Sequence, residues 1–131
     1  MKIHKIKILC LTIFFIILSV QGFSQEIKFK ETKYNFGFVH EDDPVIIFYD
    51  FQNTGTESLI ISDYKVECGC TVMEIPSKPI LPGEKSKLKI TFDTHEKYDR
   101  QDRTVIVISN AKNSPVTLRF KGVVLKPRKK N

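Results

Sequence analysis

At 131 residues, 27% of them charged and 41% hydrophobic, the chain is long enough for one domain and too short for two. Its net charge of +6 is carried by its ends: Lys2, Lys5 and Lys7 open it, and Lys126, Arg128, Lys129 and Lys130 close it. Residues 25–125 hold 14 bases against 15 acids, a net of −1, and no stretch among them is basic enough to read as a nucleic-acid face.

The basic start leads into Ile8 to Val20, an apolar stretch of 13 residues. A helix needs roughly 20 residues to cross a bilayer core. With Gly22-Phe23-Ser24 behind it, this pattern predicts a secretory signal peptide over residues 1–24, cut before Gln25. An uncleaved membrane anchor is the alternative. After the cut no membrane span is expected, and the destination is the periplasm, the cell envelope or the extracellular space. Cys10 leaves with the leader, so Cys68 and Cys70 remain in an oxidising compartment.

The rest reads as short strands. Ile27 and Phe29 alternate with Lys28 and Lys30. Tyr34, Phe36 and Phe38 continue the period of two and are expected on one face. Val45 to Phe51 is apolar on both faces at its start, which suits a strand inside a sandwich. Leu59 to Ile61, Tyr64 with Val66, and Thr71 to Met73 are shorter candidates. In Lys87 to Asp93, Leu88, Ile90 and Phe92 point inward while Lys87, Lys89, Thr91 and Asp93 point to water. Val105 to Ile108 reads as a central strand, and Val116, Leu118 and Phe120 alternate with polar neighbours. The expected core is Phe51, Leu88, Ile90, Phe92, Val105, Val107, Leu118 and Phe120.

Asn53-Thr54-Gly55 is a turn, Pro82-Gly83 fits a type II turn, and Asn110 to Ser114 joins the last two long strands. Glu41 to Asp43 and Lys97 to Arg103 read as loops. The fold class predicted is all-β: an immunoglobulin-like β-sandwich of about seven or more short antiparallel strands over residues 25–125, followed by a basic tail at 126–131. A small closed barrel is the alternative. The chain has no Trp and no cysteine pair about 50 residues apart, which excludes the antibody subtype.

The order of motifs is Phe36-Gly37-Phe38-Val39, Phe51-Gln52-Asn53-Thr54-Gly55, Cys68-Gly69-Cys70-Thr71, Ile80-Leu81-Pro82-Gly83-Glu84, Phe92-Asp93-Thr94, Ser109-Asn110-Ala111 and Gly122. It resembles an exported bacterial family known only as a domain of unknown function. That family is similar to Hydin-type and major-sperm-protein-type immunoglobulin-like domains. The resemblance spans roughly residues 30 to 124. It implies a fold and, by analogy alone, protein binding. The Cys-Gly-Cys-Thr element is its specific part.

Cys68 and Cys70 are the reactive pair, with three readings open. They form a local disulfide that pins a loop, or a redox dithiol, or two soft ligands for monovalent copper with Met73 as a weak third. A bridge between i and i+2 closes too small a ring to remove much unfolded-state entropy. Glu67 raises rather than lowers a neighbouring thiol's pKa. His40 and His95 lie beside carboxylates and read as exposed loop residues, and Glu41 to Asp43 offers too few oxygens for calcium without help from other loops.

No Gly-x-Ser-x-Gly, no His-Glu-x-x-His and no phosphate-cradling glycine loop occurs. No enzyme, cofactor or metal is therefore expected. The function read from sequence is a non-catalytic binding or structural module of the bacterial cell envelope, with another envelope or extracellular protein or a glycan as partner. A thiol–disulfide or copper-handling protein using Cys68 and Cys70 is the alternative.

Overall fold

The computed structural model describes residues 1–17 and 22–127. The end of the apolar leader stretch, residues 18–20, and most of the basic tail, residues 128–131, lie outside the described residues. The elements in order are α1 (Lys2–Ile17), β1 (Ile27–Phe29), β2 (Lys33–His40), β3 (Val45–Asn53), β4 (Ile61–Val66), β5 (Thr71–Glu74), β6 (Lys85–Phe92), β7 (Asp99–Ser109) and β8 (Val116–Leu125). No helix among the described residues is long and apolar enough to cross a membrane.

Two four-stranded sheets face each other, the first ordered β1-β3-β6-β5 and the second β2-β8-β7-β4. Alternation explains the packing. Leu88, Ile90 and Phe92 of β6 are fully buried, as are Val105, Val107, Leu118 and Phe120 from the second sheet. All eight residues expected in the core are there. Phe92 and Phe120 meet across the sheets with ring centroids 5.3 Å apart, and Phe36 tilts against both.

The Asn-Thr-Gly turn has a structural reason. Asn53 is fully buried at the end of β3, and its side chain accepts from Gly55 N–H while donating to the carbonyls of Glu57 and Ile80. A buried amide must be satisfied in this way. The Pro82-Gly83 turn is closed by Glu84 N–H on the Leu81 carbonyl, with Gly83 at φ +79°.

Several expectations are corrected. Not every pairing is antiparallel, because β2 runs parallel to β8. The chain leaves the first sheet after three residues of β1 and crosses to the second. On β3, Ile46 and Phe48 face outward at 51% and 55% exposure, so this strand is buried on one face only; no further layer among the described residues covers the outer surface of the first sheet. Of Leu59 to Ile61, only Ile61 enters β4, while Leu59 bridges Ile80. Lys97 to Arg103 is not all loop: β7 begins at Asp99, because its hydrophilic start pairs with the end of β8.

The largest correction concerns Phe38. Tyr34, Phe36 and Phe38 do not share a face. A bulge between Asn35 and Gly37 inserts Phe36 as an extra residue against β8. Gly37 takes φ +72°, and its N–H bonds the Asn35 side chain at 2.9 Å. Phe36 then turns inward over Gly122, where a Cβ would lie 2.3 Å from the ring. Beyond the bulge the parity flips, so Val39 faces the core and Phe38 stands 74% exposed.

Candidate functional site

Cys68 and Cys70 are bridged in the crossover from β4, an edge of the second sheet, to β5, an edge of the first. Their Cα atoms are 5.2 Å apart, and both residues are half-buried. The Cys70 carbonyl accepts Asp93 N–H at 2.8 Å, which ties the crossover to the end of β6. Gly69 faces solvent, and a Cβ there would meet nothing within 4 Å. Met73 does not reach out to solvent. It is 3% exposed and packs in the core opposite Ile90. Thiolates are the form that binds metal, and the bridge leaves neither sulfur in that form.

A second cluster forms where the β2–β3 turn meets the β6–β7 loop. The ligating atoms of Glu41, Asp42 and His95 lie within 4.8 Å of one another, which is close enough for one cation. These atoms already have partners. Glu41 is buried rather than part of a solvated acidic loop, and its carboxylate accepts Glu96 N–H at 2.9 Å. His95 Nδ1 and Asp42 Oδ1 are 2.7 Å apart, and this hydrogen bond holds the imidazole pKa above its ordinary value. His95 is exposed, as expected, but His40 is half-buried at the end of β2.

The third arrangement could not be seen as a run of sequence. On the outer surface of the first sheet, Lys28, Gln52 and Lys85 form one cross-strand row. Lys30, Asp50 and Lys87 form the next, joined by Lys30 N–H on the Asp50 carbonyl. Between the two lysine columns is a groove of about 710 Å³ that also touches Phe29, Phe51 and Ser86. Asp50 pairs with Lys87 at 3.3 Å. Lys28, Lys30 and Lys85 form no ion pair with an acid among the described residues. The charge reading from sequence is therefore corrected: the ends hold most of the surplus, but the body gathers a basic surface of its own. Its one sequence signal is the pair of alternating lysines at outward positions in 28–30 and 85–87, strands that flank β3.

On the other sheet's outer surface, exposed Phe38 borders a small cleft of about 220 Å³ with Asn35, Arg100 and Lys121. Nearby, Arg119 forks onto Asp102 and holds that carboxyl below its ordinary pKa.

The two facing sheets and the change of sheet between β1 and β2 define an immunoglobulin-like β-sandwich. The chain belongs to the family described as "Protein of unknown function (DUF1573)", which matches residues 27–124. No curated protein matches it. Among solved structures it is similar to a protein of unknown function from Porphyromonas gingivalis W83, at 14% identity and TM-score 0.66, covering 76% of this chain and 46% of that one. It thus spans less than half of that protein. It is also similar to the ASH/PapD-like domain 7 of human CEP192, at 11% identity and TM-score 0.62, over 80% of this chain and 89% of that domain. The YadV chaperone is similar at 13% identity and TM-score 0.51, over 81% and 54%. At such identities these likenesses concern the fold.

Proposed function

We propose that this chain is an exported, non-catalytic binding module of the bacterial cell envelope. Its leader, residues 1–24, is removed, and residues 25–125 dock a partner protein through an outer sheet surface. The observation that carries this reading is the lysine groove of the first sheet. A body with a net charge of −1 places four lysines around one open groove, and three of them meet no acid among the described residues. Clustered like charge costs stability through self-repulsion, so its natural use is to meet an opposite charge. No nucleophile–base pair lines the groove, so docking describes it better than turnover.

Export is supported by the basic, apolar and small-residue order of the leader. A cut before Gln25 removes two hydrogen bonds, Ser24 N–H to the Thr56 hydroxyl and Thr56 N–H to the Ser24 carbonyl. It spares those that the Gln25 and Glu26 carbonyls accept from Lys112 and Thr54. No specific observation favours thiol or copper handling over docking.

Co-purification tests the reading. Tagged chain drawn from envelope extracts carries a stoichiometric partner, and its first residue is Gln25 or a near neighbour. A chain that keeps Met1 on a membrane, or that elutes alone at low salt after mild crosslinking, contradicts it.

A further inference from the structure

We infer that the lysine groove takes an extended acidic peptide segment of the partner, with Asp or Glu at alternate positions. This rests on the binding reading above and names the chemistry of its ligand. Lysines on one strand two residues apart, Lys28 with Lys30 and Lys85 with Lys87, are separated by about 6.6 Å at the strand rise. The columns stand about 10 Å apart, two strand spacings. Same-side groups of an extended peptide recur at the same interval of about 6.6 Å, so acids at i and i+2 match each column. A single small anion spans only a fraction of this grid.

The open edge of β1 is separate from the groove. In the β1–β3 ladder, Glu26 bonds Thr54 and Lys30 bonds Asp50, so Lys28 and Gln52 form the hydrogen-bonded pair between them. The main-chain groups of Ile27 and Phe29 then face the open edge. Those of Ile27 are capped by the Asn113 side chain. Those of Phe29 point the same way, away from β3 and the groove, so a ligand in the groove is held through its side chains. Asp50 on the floor does not repel such a ligand strongly, because Lys87 neutralises it.

The test is fluorescence anisotropy on exported chain at low salt, with a labelled peptide of alternating Glu and Ser. We expect saturable binding that weakens as salt rises. Binding falls by about tenfold in the Lys28→Gln/Lys85→Gln variant. It changes by less than about twofold in Lys33→Gln/Lys121→Gln, which removes equal charge from the other sheet. The matching Gln–Ser peptide does not bind. Equal weakening in both variants, binding of the Gln–Ser peptide, or binding of an oligogalacturonate but not of the Glu–Ser peptide overturns the inference. If the peptide fails while wild-type chain still co-purifies with an envelope partner, the ligand class is wrong and the binding reading stands; loss of both removes both.

Discussion

The side chain of Asn113 holds both main-chain groups of Ile27: its Oδ1 accepts Ile27 N–H at 3.2 Å and its Nδ2 donates to the Ile27 carbonyl at 2.7 Å. Asn113 thus does for the edge of β1 what a further strand would do, with one residue. Exposed strand edges invite pairing with other chains, and this contact closes half of a three-residue edge. Replacing Asn113 with Ala leaves two part-buried groups unpaired and is expected to cost about 1–3 kcal/mol in urea unfolding. Asn113→Asp sets a carboxylate oxygen against the Ile27 carbonyl and should cost more. Equal stability of Asn113→Ala and wild type would show that water serves these groups as well.

The Phe36–Gly122 contact makes a second prediction. A Cβ at 122 would lie 2.3 Å from two carbons of the Phe36 ring, which is itself wedged against Phe92 and Phe120. Gly122→Ala should destabilise by about 1–3 kcal/mol, as overpacking does. A smaller ring partner relieves the clash, so Phe36→Leu in the Gly122→Ala background should cost less than Phe36→Leu alone. An additive double mutant contradicts this.

Much of the fold was legible because a sandwich writes its facing into single strands. Leu88, Ile90 and Phe92 alternate with polar residues, and nothing interrupts the period. Phe38 was not legible, because a one-residue bulge leaves the apolar pattern intact while reversing every residue after it. The outward turn of Ile46 and Phe48 was hidden for a different reason, since apolar side chains on an uncovered face look the same in sequence as buried ones. The lysine groove and the Glu41–Asp42–His95 corner are products of pairing between distant segments. Residues 28–30 and 85–87 become neighbours only through β3, and Asp42 meets His95 across two loops. The Cys68–Cys70 contact, two residues apart, needed no topology.

The corner gives a pH prediction. The Asp42 hydrogen bond raises the His95 pKa in the folded chain above its ordinary value of 6.5. The link is therefore fully made below that value and is lost as pH rises through the folded-state pKa. In an NMR titration of the ring protons, His95 should titrate above 6.5 and fall back toward it in Asp42→Asn. An unchanged His95 midpoint in that variant would place the cause elsewhere.

For the cysteines, the bridge closes so short a loop that removing it costs little. Changing both Cys68 and Cys70 to Ser should lower stability by less than about 1 kcal/mol and leave partner capture intact. A loss of partner capture with the fold unchanged would move the function to this loop.

The central claim is that the outer surface of the first sheet is where the partner docks. A photoreactive phenylalanine analogue at position 52, on the floor of the lysine groove, tests it in producing cells, with position 117 on the other sheet as the comparison. The account predicts a discrete adduct to one envelope protein from position 52 that weakens with Lys28→Gln/Lys85→Gln, and none from position 117. An adduct from position 117 alone, or equal adducts from both positions, would contradict it.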